Sequence, residues 1–343
     1  MFRKNIVKYV DDLVAANAAR DADRFHEAVQ NVARSAGKAT PEQSHAALTR
    51  LAPMLVSIPF GIGNPVAGLA GGIVGLEGDF RPVLPVLVDR AIAVLTAALR
   101  FHAFYRENFG EEPPDPEDEE AVLPALGRLA HPNSGSDEGY ALGQAWFTAN
   151  EWVQPVLFLC QRKDVRAALP RRAELTAAVG AATELVGAAG WLDGLLRVLD
   201  DEPLLVLDRA SGRAFRVTIS GVGDNFQLHT LLAAALPAEV LPGSPPSAAE
   251  IAAASTGDLE VPGGIRGNFN LADVNGKWIW NEGRPADIPH LDGVRVAVVD
   301  PPPYIRTWNA GRAYPLMVPS VQVVAELSPA DAAALQAKIK PVG

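Results

Sequence analysis

The chain has one cysteine in 343 residues, so it has no internal disulfide. This absence indicates a reducing compartment, and a cytoplasmic location is the expectation. Cys160 stands in an apolar run, which favours a buried, inert thiol over a nucleophile. The N-terminus reaches Asp11 and Asp12 before any long apolar stretch, which is not the pattern of a signal peptide.

Histidine is also sparse, with six residues and no HxH or HxxxH pair. A metal site would therefore need ligands that are distant in sequence. The chain shows no cofactor fingerprint, and we expect neither a metal nor a cofactor. The glycines at 221 and 223 form only a G-x-G, without a third glycine or a Lys-Ser/Thr pair, so a phosphate-cradling loop is weakly indicated.

A basic stripe is missing as well. The formal net charge is −10, and residues 111–120 alone hold seven acids and no base, so the remaining residues are nearly neutral. Without clustered lysine and arginine there is no surface to release counterions from a phosphate backbone, and we expect no nucleic-acid partner. The acidic run has two interpretations: a solvated loop in which Asp115 and Pro116 begin a helix, or a docking surface for a basic partner.

One long uncharged run is present. Residues 51–76 are 26 consecutive residues without a charge, enough to span a bilayer, and Gly68 and Gly72 have a spacing that suits close helix contact. Three prolines interrupt any single helix in this run. They favour a buried core helix, a glycine-rich loop and a second tightly packed helix, with a membrane-active segment as the alternative.

Residues 1–200 have the 3.6-residue periodicity of helices. Thr40-Pro41-Glu42-Gln43 supplies an N-cap, a proline at the first helical position and a capping-box glutamine. A longer helix is predicted from about Pro85 to Phe109, ending at Gly110. Since no repeat of fixed length is present, the pattern favours an irregular helical bundle over a solenoid.

Strand patterns replace helical ones at Pro203. Residues 204–219 read as a β-hairpin, two further strands are predicted in 294–300 and 321–327, and a helix begins at Pro329. The chain is therefore predicted to be α+β, with an N-terminal irregular helical bundle at 1–200. A smaller domain with a mixed or antiparallel sheet follows at 203–343.

The strongest local signal is Asn275-Gly276 between two strand-like runs. It predicts a two-residue type I′ turn, in which Asp273 faces Trp278 and Leu271 faces Trp280. In that register both tryptophans share one face of the hairpin with Phe269 and Leu271, and this face is expected to be buried.

Two segments of this second domain combine residue types that form ligand sites. A glycine-shaped turn leads into a helix with Asp224 and Gln227 as a capping box, and an aromatic loop with one arginine follows the strand at 294–300. If the strands before these segments are neighbours with aligned C-terminal ends, both loops meet at one edge. The candidate residues are His229, Asp224 and Asp300 as catalytic groups, and Asn225, Arg306, Trp308 and Asn309 as ligand-binding groups.

Three functions compete. The first is a cytoplasmic binding or interaction protein (accessory, immunity or regulatory) with a polar-aromatic cleft for a protein or peptide in the C-terminal domain. It should show an exposed apolar patch rimmed by polar groups. The second is an enzyme in which His229 is the general acid or base, Asp224 or Asp300 orients it, and Arg306 holds an anionic small molecule or peptide. The third is a membrane-active protein that uses residues 51–76.

Overall fold

The structure, a computed structural model, describes residues 5–76, 78–130, 137–241, 244–302 and 304–341. Contacts between Cα atoms divide the chain into two compact units, Met1–Leu196 and Arg197–Gly343. The first unit is helical where it is described, whereas the second combines helices with a sheet. With 55% helix and 12% strand, the structure confirms the α+β class.

The described part of the first unit consists of helices joined by short connections. They are α1 (Ile6–Ala19), α2 (Ala22–Ala36), α3 (Pro41–Ser57), α4 (Phe60–Gly75), α5 (Leu84–Phe109), α6 (Glu119–Leu129), α7 (Asp137–Phe147), α8 (Ala149–Leu159), α9 (Lys163–Ala167), α10 (Arg172–Ala182) and α11 (Gly187–Leu196).

Two helix boundaries confirm the sequence signals. The Thr40 side chain accepts a hydrogen bond from the Gln43 amide, and the Gln43 side chain accepts one from the Thr40 amide, so α3 begins with a complete capping box. Gly110 ends α5 in the left-handed conformation, at φ 71°, which glycine adopts without a steric penalty.

The uncharged run 51–76 contains parts of two helices, and the prediction of a glycine-rich loop is wrong. Chain direction changes at Ile58 and Pro59, and the glycine-rich part forms α4. A Cβ on Gly63 would lie 2.7 Å from Cζ2 of Trp152, so the missing side chain allows α8 to pack closely. In the described residues no helix is both long and apolar enough to cross a membrane.

The acidic run begins a helix later than expected. Asp118, not Asp115, is the N-cap of α6, and its side chain accepts a hydrogen bond from the Glu120 amide at 3.1 Å. Glu111, at the start of the run, forms an ion pair with Arg128 near the end of α6. Part of the acidic charge is therefore balanced inside this unit.

The second unit contains a mixed sheet. Its elements are β1 (Glu202–Asp208), β2 (Arg213–Ser220), α12 (Asn225–Ala235), α13 (Ala248–Ala254), β3 (Ile265–Arg266), β4 (Asn270–Ala272), β5 (His290–Leu291), β6 (Val294–Asp300), β7 (Thr307–Trp308), β8 (Ser320–Glu326) and α14 (Pro329–Gln336). The strand order is β4-β6-β1-β2-β8, β5 pairs with β6, and β3 and β7 form a separate ribbon. Only β1 and β6 are parallel among the described pairs.

Alternation along the strands gives the sheet two apolar faces. One face packs against α12, and its buried side chains include Leu204, Val206, Phe215, Val217, Leu228 and Leu232. The other face packs against α14, and its buried side chains include Leu207, Ala214, Val296, Val298, Ala332 and Leu335. Helices thus pack on both faces of the sheet, whereas the edge strand β8 keeps several exposed side chains, among them Val324 at 61%.

The register predicted around Asn275-Gly276 is wrong by one residue. Ala272 pairs with Trp278, and the Ile279 amide donates to Leu271 O at 2.8 Å. The Asp273 side chain causes the difference: its Oδ1 accepts from the amides of Asn275 (2.7 Å) and of Lys277 (3.0 Å). This turn leaves only Gly276 left-handed, at φ 76°.

The new register changes which side chains are buried. Ile279, not Trp280, joins Phe269 and Leu271 in the core. Trp280 is 66% exposed, so the prediction that both tryptophans face the core is wrong. An aromatic pair expected inside the unit is thus placed at its surface.

Candidate functional site

Asp300 lies at the opposite end of the sheet from the loop that follows β2. Strand β1 stands between β2 and β6, antiparallel to β2 and parallel to β6. The C-terminal ends of β2 and β6 therefore point in opposite directions, and the expectation that they are aligned neighbours is wrong. Asp300 Oδ1 accepts from Arg209 Nε at 2.8 Å, and this pair forms its own polar cluster.

The segment after Asp300 returns across the unit to α12. The backbone of Arg306 accepts a hydrogen bond from the Gly267 amide at 2.9 Å, and β7 pairs with β3. Through this return, Arg306, Trp308 and Asn309 come close to the N-terminal half of α12. The structure thus brings six of the seven candidate residues into one region and leaves out Asp300.

The glycine turn before α12 has its amides paired. Gly221 N donates to Leu199 O at 2.9 Å, and Gly223 N donates to Gln227 Oε1 at 2.8 Å. Asp224 is the N-cap, but Gln227 donates its other end to Ala254 O, so the expected capping box is only half formed. The G-x-G offers no ready cradle for a phosphate.

The first amides of α12 are paired too. Asn225 N donates to Gly283 O at 2.9 Å and Phe226 N donates to Asn281 O at 3.1 Å. The Asn225 side chain also donates to Trp280 O at 2.8 Å. Asn225 is buried, and its hydrogen bonds hold the start of α12 against the segment that carries the tryptophans. Its role is therefore to position that segment.

His229 is completely buried. Its Nε2 lies 3.3 Å from the Phe269 amide and 3.1 Å from Phe269 O, and its ring packs edge-on against Trp308 at 4.9 Å. Burial lowers the pKa of His229 to about 3, with a smaller lowering contribution from the charge of Arg306. The imidazole is therefore neutral at physiological pH.

This placement does not suit acid or base catalysis by His229. A general base must be within hydrogen-bond reach of a substrate proton, whereas this ring has no solvent-accessible atom and faces a backbone segment. The carboxylate of Asp300, proposed to orient it, is paired with Arg209 elsewhere. Arg306 does come near, since its Nη2 donates to Phe269 O at 2.8 Å.

Arg306 and two tryptophans form a stack. The guanidinium carbon lies 5.1 Å from the Trp278 ring, and Trp278 lies parallel to Trp280 with centroids 5.3 Å apart at 10°. Burial lowers the pKa of Arg306, while the nearby Tyr304 and Glu282 raise it. We call Trp278, Trp280 and Arg306 the aromatic-arginine stack.

The chain segments that carry the stack also carry exposed large side chains. Trp280 is 66% exposed, Tyr304 58% and Ile305 83%. Glu282 and Arg284 follow Trp280 closely in sequence. An exposed apolar patch with a charged border is the feature that distinguishes an interaction surface.

A cleft of about 300 Å³ lies beside α12, between α13 and the β3–β7 ribbon. We call it the α12 cleft. Its lining residues are Asp224, Phe226, Gln227, Thr230, Ala254, Ile265, Trp308, Asn309, Gly311, Arg312 and Ala313. Burial raises the pKa of Asp224 above its ordinary value, although the helix amides that it caps act in the opposite direction.

Several buried polar atoms around this region have no hydrogen-bond partner in the described structure. They are Asn225 Oδ1, His229 Nδ1, Asn268 Oδ1, Trp278 Nε1, Asn281 Oδ1, Arg306 Nε, Trp308 Nε1 and Arg312 Nε. Buried polar groups are normally paired, and exceptions of this kind concentrate where a protein binds something.

Sequence reasoning missed two parts of the site. The Asn-Gly pair and the alternation of hydrophobic residues both favour a core position for Trp278 and Trp280, which the shifted register does not give them. Arg312 lines the α12 cleft and donates to Ala253 O and Gly257 O. No local pattern marks it, because these partners are more than fifty residues away in sequence.

No protein-family model, curated protein or solved structure matches this chain significantly. The function is therefore inferred from the chemistry of the stack and the cleft alone.

Proposed function

We propose that this chain is a binding protein whose C-terminal unit recognises a protein or peptide partner through the aromatic-arginine stack. The observation that carries the proposal is the exposure of Trp280, a large aromatic side chain that stacks on Trp278. Tryptophan, tyrosine and arginine are the residues most enriched at energetic hot spots of protein interfaces.

The rigidity of the stack supports this proposal. The Trp278 ring packs against both Arg306 and Trp280, and Arg306 donates a hydrogen bond to Phe269 O. A surface that is already ordered loses little conformational entropy when a partner binds. Exposure of a tryptophan in a flexible loop would not offer this advantage.

A binding role also agrees better with His229 than catalysis does. The neutral, fully buried imidazole contacts the backbone of Phe269, which in turn accepts from Arg306. We assign His229 the role of a positioning residue: it holds the Phe269 backbone, to which Arg306 is hydrogen-bonded. A reducing, cytoplasmic location is part of the proposal, since Cys160 is buried and its pKa is raised to about 12 by burial.

The test compares the full chain with two variants as immobilised baits in an extract of the source organism. Trp280→Ala removes the exposed ring of the stack, and Trp191→Ala removes another exposed tryptophan, 56% accessible, in the helical unit. Proteins retained by the wild type and by Trp191→Ala but lost with Trp280→Ala are identified, purified and measured for affinity.

The expected result is a purified partner that binds Trp280→Ala at least about thirtyfold more weakly than wild type, since hot-spot truncation typically costs about 2 kcal/mol or more. Retention of the same partners with the same affinity by Trp280→Ala would contradict the proposal. So would a partner that is lost only with Trp191→Ala.

A further inference from the structure

The α12 cleft holds a carboxylate without a cationic partner among the described residues. Asp224 is largely buried, and its Oδ1 accepts a hydrogen bond from the Gln227 amide at 2.8 Å as the N-cap of α12. The amide of Phe226 also favours the charged form of this carboxylate, and no ion pair between Asp224 and a described lysine or arginine is formed. Arg312 lines the same cleft but forms no described ion pair with Asp224, and a partly buried carboxylate of this kind in a concave site favours a cationic ligand.

Several of the other polar groups that line the cleft form hydrogen bonds within the protein. Gln227 bonds to Gly223 and Ala254 at its two ends, and Thr230 donates to Phe226 O at 3.1 Å. Arg312 is the cation of the lining, and its Nη1 is shared between two backbone carbonyls, at 2.9 and 2.7 Å. An anionic ligand would have to compete with these carbonyls, whereas a cation meets the carboxylate directly.

Two aromatic rings complete the cleft. Phe226 and Trp308 both line it, with ring centroids 5.3 Å apart and planes inclined at 55°. Aromatic faces attract ammonium groups through the ring quadrupole, by about 0.5–2 kcal/mol depending on desolvation. A volume of about 300 Å³ admits a short alkyl chain with its charged end.

We propose that the α12 cleft binds an alkylammonium group, with Asp224 accepting its hydrogen bonds and the rings of Phe226 and Trp308 packed around it. This inference goes beyond the proposed function, because the ammonium group of a free small molecule fits the cleft as well as a lysine side chain of a peptide does. The aromatic-arginine stack is not needed for it.

Calorimetric titration of the full chain at neutral pH tests the proposal with three probes. They are Nα-acetyl-lysine methylamide, n-butylammonium chloride and the neutral Nα-acetyl-norleucine methylamide. We expect at least one of the two amines to bind, and the norleucine compound to bind at least about tenfold more weakly, which is the lower range for a hydrogen bond to a charged group.

The two amines separate the sources of the ligand. Similar affinities for both indicate that the cleft recognises the ammonium end alone, as for a free amine. An affinity at least about tenfold higher for the lysine compound, or binding of it alone, indicates a peptide. Binding of n-butylammonium alone indicates a free amine, and each of these results supports the cleft. Equal binding of the norleucine compound, or no binding of either amine, would overturn the proposal.

Variants locate the binding. Asp224→Asn removes the charge but keeps an N-capping side chain, so amine affinity should fall about tenfold while the melting temperature stays close to wild type. Asp292→Asn, which alters an exposed carboxylate paired with Lys338, is the matched control and should bind like wild type. Unchanged amine affinity in Asp224→Asn would overturn the assignment.

A second variant covers the case in which Asp224→Asn does not fold. Phe226→Leu keeps the apolar volume of the cleft and removes one aromatic face, so the affinity should fall several-fold. Undiminished binding by this variant would also contradict the arrangement.

Loss of a protein partner with Trp280→Ala can still be observed if the amines fail to bind, so the two proposals can fail separately.

Discussion

The two units of this protein bury different kinds of side chain. Of the twelve buried polar or charged side chains among the described residues, three lie in the helical unit and nine in the smaller α+β unit. Of the thirteen buried polar atoms that lack a hydrogen-bond partner there, only Arg90 Nε belongs to the helical unit. Both units bury apolar side chains, and the α+β unit additionally buries most of the polar ones.

This difference indicates where function resides. Buried polar atoms without a partner inside the chain are normally paired with ordered water or with a ligand. The helical unit is instead closely packed, as Gly63 against Trp152 illustrates. This difference agrees with the proposal that the α+β unit is the one that recognises a partner.

The largest expected effect is on the helical side. Trp152 is completely buried, donates to Phe60 O at 2.9 Å and packs edge-on against the Phe60 ring at 5.6 Å. Trp152→Ala should lower the free energy of unfolding by about 3–5 kcal/mol, measured by urea denaturation. A loss below about 1 kcal/mol would show that this core is less tightly packed than the structure indicates.

The next effect is a pH dependence on the α+β side. The pKa of folded His229 is about 3 and lies below its unfolded value of about 6.5, so the unfolded state binds more protons between these values. Stability should therefore fall as the pH is lowered from 7, by about 2 kcal/mol at pH 5 from this residue alone.

His229→Gln is the control for this dependence, since glutamine retains a hydrogen-bonding side chain but does not titrate. Urea denaturation at several pH values should give a flatter dependence for the variant than for wild type. Equal slopes would show that His229 is charged or accessible in the folded protein, and would reopen its assignment as a general base.

A smaller effect is expected at the hairpin turn. Gly276 has φ 76°, and a Cβ there would collide with Pro341 O. Gly276→Val should destabilise the protein by about 1–2 kcal/mol from the left-handed backbone, with a further loss from the collision. Gly293 has φ 84° and open space around it, so Gly293→Val isolates the backbone contribution. It should lower the free energy of unfolding by less than Gly276→Val does. Equal losses would mean that the C-terminal segment moves away freely.

The smallest expected effect on stability is at the proposed interface. Trp280 is mostly exposed, and Trp280→Ala should change the free energy of unfolding by no more than about 0.5 kcal/mol. A thermal-shift measurement against wild type checks this. A loss as large as that of Trp152→Ala would mean that Trp280 supports the fold and is not reserved for a partner.

The sequence predicts the helices and strands better than the site. Local signals such as the capping box at Thr40 and the stop at Gly110 act within a few residues, and the structure confirms both. The turn at Asn275-Gly276 shows how a local signal fails. Asp273 offers its carboxylate to two amides of the same turn, and this competing interaction shifts the register.

The site depends on interactions that no local pattern contains. Asp300 and the loop after β2 lie at opposite ends of the sheet because β1, which separates β2 from β6, is antiparallel to β2 and parallel to β6. This arrangement is a property of the sheet topology. The cleft is completed by Trp308 and Arg312, which reach α12 only because the chain returns after β6. The residue types at 224–229 and 306–309 were nonetheless recognisable, because polar groups interleaved with aromatics are typical of ligand sites.

The most direct test of the central assignment is the dissociation constant of the purified partner for wild type, Trp280→Ala and Trp191→Ala, at equal melting temperatures. We expect Trp191→Ala to match wild type and Trp280→Ala to bind at least about thirtyfold more weakly. Equal dissociation constants for all three proteins would contradict the placement of recognition on the aromatic-arginine stack.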